Sequence, residues 1–230
     1  LIIESIIEDL SSKQNIFCKL ESIISENVIL ATNTSSIDLD IISRKLKHPG
    51  RLVGIHFFNP APVMKLVEIV SSLKTERAVA ELVSNLSEKW GKIPVNVRSS
   101  PGFIVNRAAR PFYCEALNVI KEHVTDYKTC DAIIKDCGGF KMGPFELMDL
   151  IGLDVNYEVT YQMWENFKCH PRFSPSDLQK NLVKRGFLGR KSGRGYYDYN
   201  SEFPKANEDR DLGKQILWRV LSMLINEATD

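Results

Sequence analysis

His56 is the residue around which chemistry can be built. It stands in Val53-Gly54-Ile55-His56-Phe57-Phe58, an apolar run closed by Asn59-Pro60-Ala61-Pro62. The ring therefore falls near the end of a strand, where ligands of parallel α/β sheets gather. A satisfied core histidine is the bland reading of such a residue. Glu68 argues for more, because it is an isolated carboxylate in Met64-Lys65-Leu66-Val67-Glu68-Ile69-Val70. A buried carboxylate needs a partner, and an imidazole on a neighbouring strand supplies one. A histidine oriented by a carboxylate is a general base whose proton position is fixed. Asn59, just past the strand, adds a donor and an acceptor. The string Asn33-Thr34-Ser35-Ser36 follows another strand end and puts hydroxyls on the same rim, although Ser36 also reads as the N-cap of a helix over 38–46. Asn106 lies on an otherwise apolar helix, where asparagine is unfavourable unless it has a bond to make.

These residues need elements to position them. Apolar, β-branched runs at 1–7, 28–32, 52–58, 65–70 and 93–97 read as strands. Between them, Ser11 or Ser12 caps a helix carrying Ile16, Phe17, Leu20, Ile23 and Ile24, and a short helix carries Leu39, Ile42 and Leu46. A third, with Ala78, Leu82, Val83, Leu86 and Trp90, ends at Gly91. Strands spaced by helical crossovers predict an α/β layer with a largely parallel, doubly wound sheet over residues 1–100. At Ser99-Ser100-Pro101-Gly102 the pattern changes, and residues 101–200 read as an all-α domain closed by Leu188-Gly189-Arg190-Lys191-Ser192-Gly193-Arg194-Gly195-Tyr196-Tyr197, a glycine-rich cationic loop. Arg107 and Glu115-Ala116 recur at the same spacing as Arg219 and Glu227-Ala228, which predicts that a second helical repeat starts over 206–230. Trp218 takes the place of Asn106 in that copy.

Composition excludes several classes. Lys plus Arg number 30 against 29 Asp plus Glu, a net charge of +1, so no basic excess exists to neutralise a nucleic-acid backbone or a membrane surface. The apolar stretches are too short to span a bilayer. Five cysteines, an odd number without CxxC spacing, argue against a zinc site or a disulfide framework and for a cytoplasmic, reducing environment. No metal site is expected.

Four linked strings carry a resemblance. Ala31-Thr32-Asn33-Thr34-Ser35-Ser36, then Gly54-Ile55-His56-Phe57-Phe58-Asn59-Pro60-Ala61-Pro62-Val63-Met64-Lys65-Leu66-Val67-Glu68, then residues 101–107, then Met142-Gly143-Pro144-Phe145-Glu146-Leu147 closely resemble the 3-hydroxyacyl-CoA dehydrogenase family. The similarity runs in unbroken order over roughly residues 1–200. It implies a partial Rossmann-type sheet followed by an all-helical C-terminal dehydrogenase domain, with NAD as cofactor and an acyl-CoA as substrate. It also implies oxidation of a 3-hydroxyacyl-CoA in fatty-acid, butanoate or phenylacetate breakdown. By the same resemblance His56 takes the proton of the 3-hydroxyl, Glu68 holds its tautomer, and Ser35 and Asn106 bond the substrate oxygens. Ser35, Asn59, Glu8, Lys13 and Lys191 match positions near the cofactor; the bland readings of Glu8, Lys13 and Lys191 are surface charge and a solvated loop. Short family members homodimerise through the helical domain, and longer 3-hydroxybutyryl-CoA and 3-hydroxyadipyl-CoA types duplicate it.

The ends depart from the family pattern. The chain opens with Leu1 in an apolar run, stops inside a helical pattern, and holds no G-x-G-x-x-G. It reads as a truncated piece whose glycine-rich phosphate turn lies about 80–100 residues upstream, inactive on its own. Two rivals are a non-catalytic assembly module and another 3-hydroxy-acid dehydrogenase using a lysine in its helical region. The His56–Glu68 pairing argues against the second.

Overall fold

The computed structural model describes residues 1–201 and 210–229, and the chain divides into two compact units, Leu1–Ile104 and Val105–Asp230. The first unit is α/β. Its elements in order are β1 (Ile2–Glu4), α1 (Leu10–Glu21), β2 (Leu30–Thr32), α2 (Leu39–Ile42), β3 (Leu52–Phe57), β4 (Leu66–Ser71), α3 (Arg77–Lys89) and β5 (Ile93–Arg98). They build one five-stranded sheet in the order β1-β2-β3-β4-β5.

Neighbouring strands run parallel except at one place. β3 and β4 are antiparallel, with His56 directly opposite Glu68. The reason is the connection: residues 58–65 hold no helix, and a parallel return needs a crossover of about a dozen residues or more. Lys92 ties that connection down by donating to the carbonyls of Ala61 and Met64.

Side chains alternate between the sheet's faces. Ala31, Val53, Ile55, Val67 and Ile69 pack with Ala80 and Val83 of α3. Leu30 and Leu52 point the other way, against Phe17 of α1 and Ile42 of α2. His56 and Glu68 share this second face by parity.

Local signals differ from the expected ones in three places. The cap of α1 is Asp9, which accepts from the Ser12 amide at 2.8 Å, so Ser11 and Ser12 fall inside the helix. The cap of α2 is Asp38 rather than Ser36; the Ser36 hydroxyl is held by Glu8 instead. Asp outcompetes Ser at both caps because its charged oxygen also meets the positive helix end. Asn106 stands in the first turn of its helix, not mid-helix, where asparagine carries little penalty.

The second unit is all-helical: α4 (Val105–Lys121), α5 (Tyr127–Asp136), α6 (Pro144–Ile151), α7 (Leu153–Asn166), α8 (Asp177–Lys184) and α9 (Arg210–Thr229). Phe112, Ala116, Ile134, Phe145, Met148, Ile216 and Val220 form its core. Two fully buried carboxylates organise it. Asp131 of α5 accepts from the Phe145 and Glu146 amides at 2.9 and 2.8 Å and so caps α6. Asp149 of α6 accepts from the Tyr196 and Tyr197 amides, each at 3.0 Å. The glycines of the closing loop follow from that clasp: a Cβ on Gly195 would lie 2.0 Å from the Asp149 carboxylate, and Gly189 has φ +89° with its Cβ position 2.2 Å from the Asp149 carbonyl.

The start of the expected second repeat, 206–209, lies outside the described residues. Its later part is α9, which packs against α4 with reciprocal ion pairs: Arg107 with Glu227, and Arg219 with Glu115. The pairs run in opposite directions along the two helices, so α4 and α9 are antiparallel.

Candidate active site

At the end of β3, His56 Nδ1 and Glu68 Oε2 are 2.7 Å apart, in side chains that are 9% and 1% exposed. The other carboxylate oxygen of Glu68 accepts from the Ile104 amide at 3.0 Å. Phe58 and Phe103 set their rings edgewise against the imidazole, with centroids at 4.7 and 5.6 Å. The ring is thus held on one edge by a carboxylate and on its flanks by aromatics. With Nδ1–H donated to Glu68, Nε2 is the acceptor of the ring. Such a pair can take a proton at Nε2 and keep the resulting cation beside a carboxylate.

A second polar network lies past β1 and β2. Lys13, 1% exposed, pairs with Glu4 at 2.7 Å and Glu8 at 3.3 Å. Glu4 also accepts from the Thr32 hydroxyl at 2.7 Å. Glu8 Oε1 accepts from the Thr34 hydroxyl, the Ser35 and Ser36 amides and the Ser36 hydroxyl, at 2.5 to 3.1 Å. Burial pushes the Glu8 carboxyl up, but the bond from Thr34, the charge of Lys13 and the donors of Ser35 and Ser36 outweigh it and hold the group below its ordinary value. Lys13 is therefore no surface charge, and Glu8, with a side chain 29% exposed, is tied by its bonds to the loop at 33–36. Asn33 joins the ends of two strands by accepting from the Phe57 amide at 3.0 Å. The Ser35 hydroxyl forms no hydrogen bond with the described residues, and the exposed Asn59 side chain forms none either.

In the helical unit, Asn106 is half-buried in the first turn of α4 with no bond from its side chain to the described residues. Lys191 stands in the 3-10 turn Arg190–Ser192 of the closing loop and pairs with Asp154 at 2.6 Å. The pair is solvent-exposed, with side chains 46% and 37% accessible, so Lys191 remains a cation of a solvated loop. Glu4 and Thr32 belong to the unit 1 network although no spacing in the sequence marks them, and Thr34 joins it from the hydroxyl-bearing string at 33–36. Among the described residues no His, Cys, Asp and Glu cluster could hold a metal ion, and no helix is long and apolar enough to cross a membrane.

Residues 1–100 match the family described as "3-hydroxyacyl-CoA dehydrogenase, NAD binding domain", and residues 102–199 match "3-hydroxyacyl-CoA dehydrogenase, C-terminal domain". The 3-hydroxybutyryl-CoA dehydrogenase of Clostridioides difficile is 39% identical over 200 residues, which are 87% of this chain and 71% of that protein. The chain belongs to the 3-hydroxyacyl-CoA dehydrogenase family. Within the family it is also similar to the 3-hydroxyadipyl-CoA dehydrogenase of Escherichia coli, at 48% identity over 202 residues, which cover 88% of this chain and 42% of that relative. The chain therefore spans less than half the length of that relative. Among solved structures, a 3-hydroxybutyryl-CoA dehydrogenase from E. coli K12 superposes with a TM-score of 0.85 at 46% identity, covering 90% of this chain and 45% of that one. The (S)-3-hydroxybutyryl-CoA dehydrogenase of Ralstonia eutropha gives 0.82 at 38% identity, covering 87% and 70%.

Proposed function

We propose that this chain carries the proton-transfer pair of an enzyme that oxidises (S)-3-hydroxyacyl-CoA to 3-oxoacyl-CoA with NAD. The observation that carries the reading is the 2.7 Å contact between His56 Nδ1 and Glu68 Oε2 at the end of β3. His56 Nε2 takes the proton of the 3-hydroxyl, and Glu68 fixes the tautomer and stabilises the ring once it is charged. The Ser35 hydroxyl and the Asn106 carboxamide, both unspent on partners among the described residues, bond the substrate oxygens. NAD, when bound, supplies the hydride acceptor. The free Ser35 hydroxyl, the exposed Asn59 and the Glu8–Lys13 network fit the nicotinamide and its ribose, and Lys191 is assigned to the same cofactor by the family pattern. The wider 3-hydroxy-acid dehydrogenases with a lysine base are disfavoured by the His–Glu pair.

For organisation we take 1–100 as the C-terminal part of the NAD-binding domain, 101–200 as the helical domain, and 206–230 as the start of its second copy. The reciprocal Arg–Glu pairs of α4 and α9 support the last of these. A homodimer through the helical unit remains the assembly we propose, on faces other than the one α9 covers. All five cysteines are free thiols, which fits a reducing, cytoplasmic setting.

The test is His56→Gln in the complete natural gene product. NADH binding, read by cofactor fluorescence, should persist and turnover of 3-hydroxybutyryl-CoA should vanish. Unchanged turnover refutes the assigned role.

A further inference from the structure

Lys92 stands between α3 and β5, one residue before the strand begins, and its amide donates to the Ser87 carbonyl at 3.0 Å. Its half-buried side chain pairs with no carboxylate among the described residues. The ammonium donates instead to two backbone carbonyls of the 58–65 connection, those of Ala61 and Met64, the second at 2.8 Å.

That connection is short of donors by composition. Pro60 and Pro62 carry no N–H, and the Val63 and Met64 amides are both spent on one acceptor, the Pro60 carbonyl, at 2.9 and 3.0 Å. The Ala61 and Met64 carbonyls need donors from elsewhere, and an ammonium has three. Packing does little to hold the segment. Asn59, Pro60 and Pro62 are exposed, and Val63 and Met64 are 73% and 40% exposed. A loop that buries so little is held by its backbone bonds, and Lys92 supplies the two that tie its middle to the start of β5. Bonds from a charged donor are the strong ones. Phe58 and Asn59 hang on this loop: the Phe58 ring lies edgewise against the His56 imidazole at 4.7 Å, and Asn59 is the next residue.

We propose that Lys92 is a positioning residue of the dehydrogenase, which clamps the loop at Ala61 and Met64 and so fixes where the Asn59 carboxamide meets the nicotinamide end of the cofactor. This rests on the dehydrogenase reading above and on its assignment of Asn59 to NAD. Loss of the clamp frees the loop, and a misplacement of about 1 Å costs about 100-fold in rate.

The experiment uses Lys92→Met, Lys92→Arg and Asn59→Ala in the complete natural gene product. Without cofactor, hydrogen exchange at the Val63 and Met64 amides should quicken about tenfold or more in Lys92→Met and return toward wild type in Lys92→Arg, which keeps a charged donor. With NAD and 3-hydroxybutyryl-CoA, Lys92→Met should lower kcat/KM for NAD by about 10- to 100-fold and leave KM for the thioester within about twofold. The double variant Lys92→Met/Asn59→Ala should be hardly slower than Asn59→Ala alone, since both changes act through one side chain. Losses that multiply in the double variant would make Lys92 a structural residue and overturn the proposal. Unchanged amide exchange in Lys92→Met would overturn it too, as would an unchanged kcat/KM for NAD in Lys92→Met or in Asn59→Ala. Where Lys92→Met does not fold, Lys92→Gln, which keeps the stem and a neutral donor, decides in the same way. A wild type that leaves 3-hydroxybutyryl-CoA unoxidised would sink the dehydrogenase reading as a whole, whereas an active wild type matched by Lys92→Met sinks the clamp alone.

Discussion

Glu68 uses its two oxygens on two different objects, the imidazole of His56 and the amide of Ile104. The consequences separate in mutants. Glu68→Gln keeps the shape but removes the charge, and its amide nitrogen favours the wrong tautomer of the ring. It should lower kcat of the complete enzyme by about 10²–10⁴-fold with KM little changed. Glu68→Ala should in addition cost about 1–3 kcal/mol in a urea titration, since the Ile104 amide is left without that acceptor. A Glu68→Gln enzyme with full kcat would remove the carboxylate from the mechanism. At this scale the sequence was readable where a polar residue interrupts an apolar run. His56 and Glu68 stand out for that reason, and they are in contact. Glu4 and Thr32 do not stand out, because polar residues at the edge of a strand are ordinary.

At the level of elements, α4 and α9 exchange equivalent ion pairs, and Glu227, 1% exposed, sits between Arg107 and Arg172. Reversing one charge, Arg107→Glu or Glu227→Arg, should destabilise the helical unit. Reversing both should recover part of the loss, with a coupling of about 0.5–3 kcal/mol in a double-mutant cycle followed by urea unfolding. Strict additivity would mean that the pairing holds nothing in place. The recurrence of Arg and Glu at one spacing was visible in the sequence because both copies keep it. The reversal of β4 was less visible. Strand patterns carry no direction, and only the shortness of the 58–65 connection indicates it. The caps at Asp9 and Asp38 were obscured by adjacent serines that offer the same chemistry more weakly.

For the molecule as a whole, two buried carboxylates set a dependence on acidity. Burial pushes Asp131 up to about 7 from an ordinary 3.8, against the bonds donated by Phe145, Tyr197 and Glu146. Asp149 is raised as well, again by burial, against bonds from Tyr197, Tyr196 and Tyr199. The folded chain therefore holds protons that the unfolded chain has released, and stability falls as pH rises from 3.8 toward 7. The contribution of Asp131 is fully present below that window and gone above it. In urea titrations Asp131→Asn should be less stable than wild type at the acid end of the window, with the gap narrowing toward neutrality. A gap independent of pH would show that Asp131 is ionised throughout. The division into an α/β part and a helical part was legible because hydrophobic period changes at 99–102; the buried aspartates were not, since nothing local separates them from surface acids.

The antiparallel step between β3 and β4 makes the chemistry a matter of odd and even. Glu68 reaches His56 because the two occupy facing positions of one register. Adding a residue to the 58–65 connection only lengthens a hairpin. Adding one inside β4 ahead of Glu68 turns its carboxylate toward α3 and brings Val67 opposite the imidazole, and adding two returns it to the original face but opposite Gly54, one pleat away from the ring. Evolutionary change or engineering should thus be tolerated in the loop, whereas one or two residues added inside the strand should both cost proton transfer.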